Sequence, residues 1–306
     1  MSVVLRAGVD LGGSKIEIAV LDAAGRELLR RREPTPAGDY EGTLRLVASL
    51  VVAAEAELAT RVSVGICTPG AISPATGRLK NSNSACLNDR ELHADLEHAL
   101  QRDVRIANDA DCFALSEATD GAARGAASVF GVIVGTGTGG GVVIGGRLLA
   151  GPNAIAGEWG HNPLPWPGDE ERPGPPCYCG KHGCIETWLS GPGLARDYRQ
   201  AGGEDLDAAC IVAEAARGEP EALDCLSRYV DRMARALASV INVLDPEVIV
   251  LGGGVGNIEQ LYRDVPQRWR RYVFSDRVDT RLLKPMHGDS SGVRGAACLW
   301  PAGQCG

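Results

Sequence analysis

The chain has 306 residues, 44% of them hydrophobic and 23% charged, and a formal net charge of −8. That length points to two packed lobes, and the acidic balance argues against a nucleic-acid or anionic-membrane partner, since both need a basic footprint. No basic-then-apolar leader opens the chain and no apolar run is long enough to span a bilayer, so a cytoplasmic address is expected. The ten cysteines are then read as thiols or metal ligands before disulfides.

In chain order, Val4 to Val9 reads as a buried strand, and Lys15 to Leu21 resumes β character after a glycine turn. A third extended segment ends near Pro34. Asp39 caps a helical pattern running to about Ala59, with Leu44, Val47, Leu50 and Val51 on one face. Val62 to Ile66 is a short apolar strand stopped by Thr68-Pro69-Gly70. A helix from Arg90 to about Gln101 leads into the strand Val104 to Ala107, after which Asn108-Asp109-Ala110-Asp111 opens another helix. Val129 to Val134 and Val142 to Ile144 read as strands around a glycine-rich turn, and an irregular proline-rich segment covers Pro152 to Gly183. Helices dominate from Ile185 to about Leu244, Val248 to Leu251 is a strand, and Ser290 to Trp300 is a serine-capped helix. The organisation is α/β, with a lobe boundary near Ala107 to Asp109.

Three constellations carry chemistry. The first is Cys177-Tyr178-Cys179-Gly180-Lys181-His182-Gly183-Cys184, whose three thiols on a glycine-studded loop suit a tetrahedral cation. Zn²⁺ favours thiolate and imidazole, and a closed structural site takes four ligands. His182 and His161 compete for the fourth position; His161 is preferred because His182, inside the loop, would strain the shared tetrahedron. The second is a set of glycine loops after strands: Asp10-Leu11-Gly12-Gly13-Ser14-Lys15, Gly135-Thr136-Gly137-Thr138-Gly139-Gly140-Gly141, and Gly252-Gly253-Gly254. Glycine lets backbone N–H groups approach phosphate oxygens, and the hydroxyls of Ser14, Thr136 and Thr138 can add donors. None matches a Walker loop or a dinucleotide fingerprint; two hairpin cradles imply a nucleotide held across a cleft. The third is Asn108-Asp109 at a strand end, where a carboxylate is either an ordinary helix cap or a general base for phosphoryl transfer.

The order DLGGSK, NDAD, VGTGTGGG, GEWGH, CYCGKHGCIE and LGGG resembles the bacterial ROK family of repressors, open reading frames and sugar kinases, from Gly8 to about Trp300. The resemblance implies a two-lobed, actin-like ATPase fold of the hexokinase and ribonuclease H type, with a zinc-binding loop in the second lobe. It places an N-terminal α/β lobe at 1–108, completed by a C-terminal helix at 290–306, and a C-terminal lobe at 109–289 with the zinc loop at 161–184. Gly12, Gly13, Ser14 and Lys15 would form the first phosphate motif, with Asp10 holding Mg²⁺ through water. Gly135, Thr136, Gly137, Thr138 and Gly139 would form the second, and Gly252, Gly253 and Gly254 would lie against adenosine. Asp109 matches the family's catalytic base. Gly70, Asn83, Asn108, Asp109, Glu158, His161 and Glu186 match sugar contacts, and His161, Cys177, Cys179 and Cys184 the structural zinc ligands, which would brace Glu158 and Glu186.

The stretches LKNSNSACLND, GEWGHNPLPW and HGDSSGVRGAA look most like fructokinases that also accept mannose. The expected reaction is therefore transfer of the γ-phosphoryl group of MgATP to the 6-hydroxyl of fructose, with an N-acetylglucosamine, N-acetylmannosamine or glucose kinase as the alternative. Ser14 replaces the family's commoner Thr, Asp111 a frequent Asn, and Cys86 a bulkier aromatic. The family's repressors carry a winged helix ahead of the first phosphate loop; nine residues precede Asp10 here, so a DNA-binding regulator is not expected. Family resemblance implies a homodimer.

Overall fold

The computed structural model describes residues 5–82 and 84–301. Val4, the sugar-contact candidate Asn83, and residues 302–306 of the expected C-terminal helix lie outside the described residues. The first half builds β1 (Leu5–Leu11), β2 (Lys15–Leu21), β3 (Glu27–Pro34), α1 (Tyr40–Leu58), β4 (Val62–Thr68), the small pair β5 (Ala71–Ile72) and β6 (Leu79–Lys80), α2 (Leu92–Leu100) and β7 (Val104–Asn108). The sheet order is β3-β2-β1-β4-β7. β1, β2 and β3 form an antiparallel meander, whereas β4 and β7 run parallel to β1. Parallel strands covered on both faces read as near-continuous apolar runs, and every residue of β4 is buried. Asp39 accepts a hydrogen bond from the Gly42 N–H at the start of α1, whose buried stripe includes Leu44, Val47, Leu50 and Val51.

The second half repeats the plan. α3 (Asp109–Thr119) is followed by β8 (Ser128–Val134), β9 (Thr138–Ile144), β10 (Arg147–Leu148), α4 (Ile185–Leu189), α5 (Gly191–Gln200), α6 (Ala208–Arg217), α7 (Pro220–Leu244), β11 (Val248–Gly252), α8 (Glu259–Trp269), β12 (Arg281–Leu283) and α9 (Ser291–Cys298). The order β10-β9-β8-β11-β12 again joins an antiparallel meander to parallel strands. β9 begins at Thr138 and not at Val142, because glycines inside it let α3 approach. A Cβ on Gly141 would stand 2.5 Å from the Ala110 carbonyl oxygen. α8, absent from the sequence reading, buries Leu261, Val265 and Trp269 at helical spacing, a pattern interrupted by Pro266.

α9 lies against β1, β4 and α3. Its contact with β4 depends on Gly65, where a Cβ would come within 1.9 Å of the Ala296 carbonyl oxygen. The Trp300 indole N–H donates to the Val64 carbonyl at 2.7 Å. Ser290 does not cap this helix as expected; its hydroxyl accepts from Arg30 Nη1 at 2.9 Å. No helix among the described residues is long and apolar enough to cross a membrane.

Candidate active site and metal cluster

Asp109 is the first residue of α3, at the C-terminal end of β7, and its side chain is open to solvent on one side. The protein packed around its other sides desolvates the carboxyl and raises its pKa above the ordinary range. The Ala110 N–H donates to Asp109 Oδ1 at 2.9 Å, partly offsetting that rise and fixing the carboxylate's orientation. Asn108 caps the same helix: its Oδ1 accepts from the Asp111 N–H at 2.6 Å. Its amide NH₂ remains for a ligand. Asp10 ends the polar part of β1. Burial raises it to about 6 despite a hydrogen bond from Cys67, and the charges of Asp109 and Glu17 add to the rise. Burial, then Glu158 and Asp109, pushes Asp111 to about 7. Cys67 and Cys112 are buried beneath Asp10 and Asp109.

The first two glycine loops are the tips of antiparallel hairpins, β1–β2 and β8–β9. Gly13, Ser14 and Lys15 are exposed, and Gly12 is half-buried. Gly12 and Gly13 border a cavity of about 460 Å³ that Ser84, Cys86 and Leu87 also line. In the second loop Thr136 is exposed and Gly135, Gly137 and Gly139 are partly so. The Thr138 hydroxyl is buried, with no hydrogen-bond partner among the described residues. A second cavity, of about 590 Å³, joins Gly135 and Thr136 to Gly254. Gly253 is exposed beside it, whereas Gly252 is buried against Phe113. Its apolar walls include Pro192 and Ala195 of α5, Ala208 and Val212 of α6, and Ile258. These were missed in the sequence; the Ser190-Gly191-Pro192-Gly193 run was the available signal, and Gly191 N–H donates to the Gly135 carbonyl at 2.8 Å.

The proline-rich segment folds back on itself through bridges between Pro163 and Cys184 and between Pro176 and His182. This brings His161, Cys177, Cys179 and Cys184 together, with all ligand atoms within 4.8 Å of one another. His161 Nδ1 lies 3.5 Å from Cys177 Sγ, and Cys179 Sγ lies 3.6 Å from Cys184 Sγ. A tetrahedral zinc with ordinary Zn–S and Zn–N bonds spaces its ligands about 3.5–3.8 Å apart, so the donor set fits. Among the described residues His182 does not join this group.

Glu158 is exposed immediately before the turn carrying His161. Glu186 is half-buried two residues after Cys184, and its Oε2 accepts from the Thr138 N–H at 2.9 Å. The carboxylate is therefore tied to the second glycine loop. Gly70 is half-buried between β4 and β5. A buried ionic cluster anchors the rest of the loop: Glu171 accepts from Arg232 Nε and from Arg235 Nη1 and Nη2, each at 2.8 Å.

The ROK family model matches residues 6–302. An N-acetyl-D-glucosamine kinase from Pectobacterium atrosepticum is 41% identical over 95% of this chain and 97% of its own. A ROK hexokinase from Thermus thermophilus superposes with a TM-score of 0.86 at 34% identity, covering 96% of this chain and 97% of that one. A ROK glucokinase from Streptomyces griseus, solved with glucose and AMPPNP, gives 0.76 at 27% identity, covering 99% and 100%. The fold is thus the hexokinase-type, actin-like α/β fold. The expectation of a fructokinase does not stand, because the relative at 41% identity is named for N-acetyl-D-glucosamine, and further relatives from 38% to 40% bear the same name. A family model spanning nearly the whole chain, together with these relatives, shows that the chain belongs to the ROK family.

Proposed function

We propose that this protein is an ATP-dependent N-acetyl-D-glucosamine kinase that transfers the γ-phosphoryl group to the sugar's 6-hydroxyl. The observation that carries the reading is the 41% identity to such a kinase over 95% of the chain, in a molecule that keeps Asp109 and the glycine hairpins. ATP would lie with its base in the cavity between Thr136 and Gly254 and its phosphates toward the two hairpin tips. Mg²⁺, held through water near Asp10, would neutralise charge on the phosphates. Asp109 Oδ1 is held by Ala110, so Oδ2 is left to accept the proton of the attacking hydroxyl. In a loose transition state that proton leaves late, and positioning supplies most of the acceleration. The Asn108 amide, Glu158, His161 and Glu186 would hold the other hydroxyls, with Gly70 and Asn83 alongside. Zinc on His161, Cys177, Cys179 and Cys184 would fix the loop that carries the two glutamates.

Turnover with Mg-ATP against N-acetylglucosamine, N-acetylmannosamine, glucose, mannose and fructose tests the reading. N-acetylglucosamine is expected to give the highest kcat/KM, with a 6-phosphate product by phosphorus NMR. A higher value for an unacetylated sugar would overturn it.

A further inference from the structure

Tyr178 lies between two of the clustered thiols, and its hydroxyl is 2.8 Å from His161 Nε2. The two rings meet edge to face, 5.0 Å apart at 88°. His161 Nδ1 faces Cys177, so Nε2 is the ring nitrogen left for a ligand. An imidazole that gives Nδ1 to a metal carries its proton on Nε2, so Nε2–H donates and the phenol oxygen accepts. Tyr178 as a whole is 80% exposed. Its hydroxyl nevertheless rests on the His161 nitrogen assigned above to the sugar.

Resting on the kinase reading, we infer that Tyr178 competes with the substrate: its hydroxyl occupies His161 Nε2 in the free enzyme and is displaced by a sugar hydroxyl on binding. The side chain is otherwise largely in solvent, so it can swing out. The contact costs sugar affinity, because only the fraction of molecules with Nε2 free can bind.

Tyr178→Phe tests the inference, since it keeps the ring and removes the competing acceptor. The probe is N-acetylglucosamine, or whichever sugar of the panel the parent turns over fastest, so failure of the acetylated-sugar reading would not mask this result. A net hydrogen bond of ordinary strength predicts about a five-fold lower sugar KM. Calorimetric Kd for the sugar without ATP should fall likewise, while the KM for ATP and the zinc content stay unchanged. An unchanged sugar Kd would show that the phenol does not compete; a raised Kd would show that it holds the sugar directly. Either result overturns the inference.

Discussion

Replacing Glu171 with Gln removes one charge from a buried cluster without changing its shape. Glu171, Arg232 and Arg235 are all under 10% exposed. Asp197 pairs with Arg232 and Asp231 with Arg235, so the wild-type cluster is balanced with Arg228 included. Burial by itself would raise the Glu171 pKa, but hydrogen bonds from Arg235, Arg232 and the Gly168 N–H overcome it and hold the carboxyl at about 2. A depression from 4.5 to about 2 corresponds to about 3 kcal/mol of folding stability at neutral pH. The cost of stripping one partner from a buried ion pair is of the same order, about 3–5 kcal/mol. For a chain of this size the melting temperature should fall by about 5–8 °C. Thermal unfolding followed by circular dichroism is the assay. The deficit of Glu171→Gln should be full above pH about 4.5, where the unfolded-state carboxyl is ionised, and shrink as pH falls toward about 2. A melting temperature within about 2 °C of the parent at pH 7, or a deficit that grows with acid, would refute the reasoning.

Asp109→Asn should fold and bind sugar normally yet lose at least about a hundred-fold in kcat; retained turnover removes Asp109 from the role of base. Because burial raises the Asp109 pKa, the acid limb of kcat/KM should lie above the ordinary aspartate value of 3.8, activity falling as pH drops through it. A limb at or below that value counts against the assignment. Elemental analysis should find about one zinc per chain. Stripping it with a chelator should weaken sugar binding before ATP binding, which calorimetry can compare; full sugar affinity without metal would contradict the bracing role. Gly65→Ala should destabilise by at least about 1–3 kcal/mol through overpacking against α9, read as a lower melting temperature or insoluble protein. A parent-like melting curve would mean that α9 does not sit on β4 as described.

Much of the fold is local in origin and therefore legible. Alternation marked β1 and β2, Asp39 marked the start of α1, and the glycine tips marked both hairpins, since each depends on residues a few positions apart. Three thiols in eight residues likewise announced the loop on which Cys177, Cys179 and Cys184 cluster with His161. The identity of the sugar was not legible, because the stretches that resembled fructokinases occur in a chain whose 41%-identical relative is named for N-acetyl-D-glucosamine. Tertiary structure alone buried the Thr138 hydroxyl, walled the cavity beside the second glycine loop with α5 and α6, and tied Glu186 to that loop. It also paired Glu171 with arginines more than sixty residues away and set Tyr178 against His161. Sequence by itself determined which chemical groups are present and how short segments turn. Which of those groups face one another was decided by packing, because contacts between distant segments form only when whole sheets and helices bury their apolar faces together.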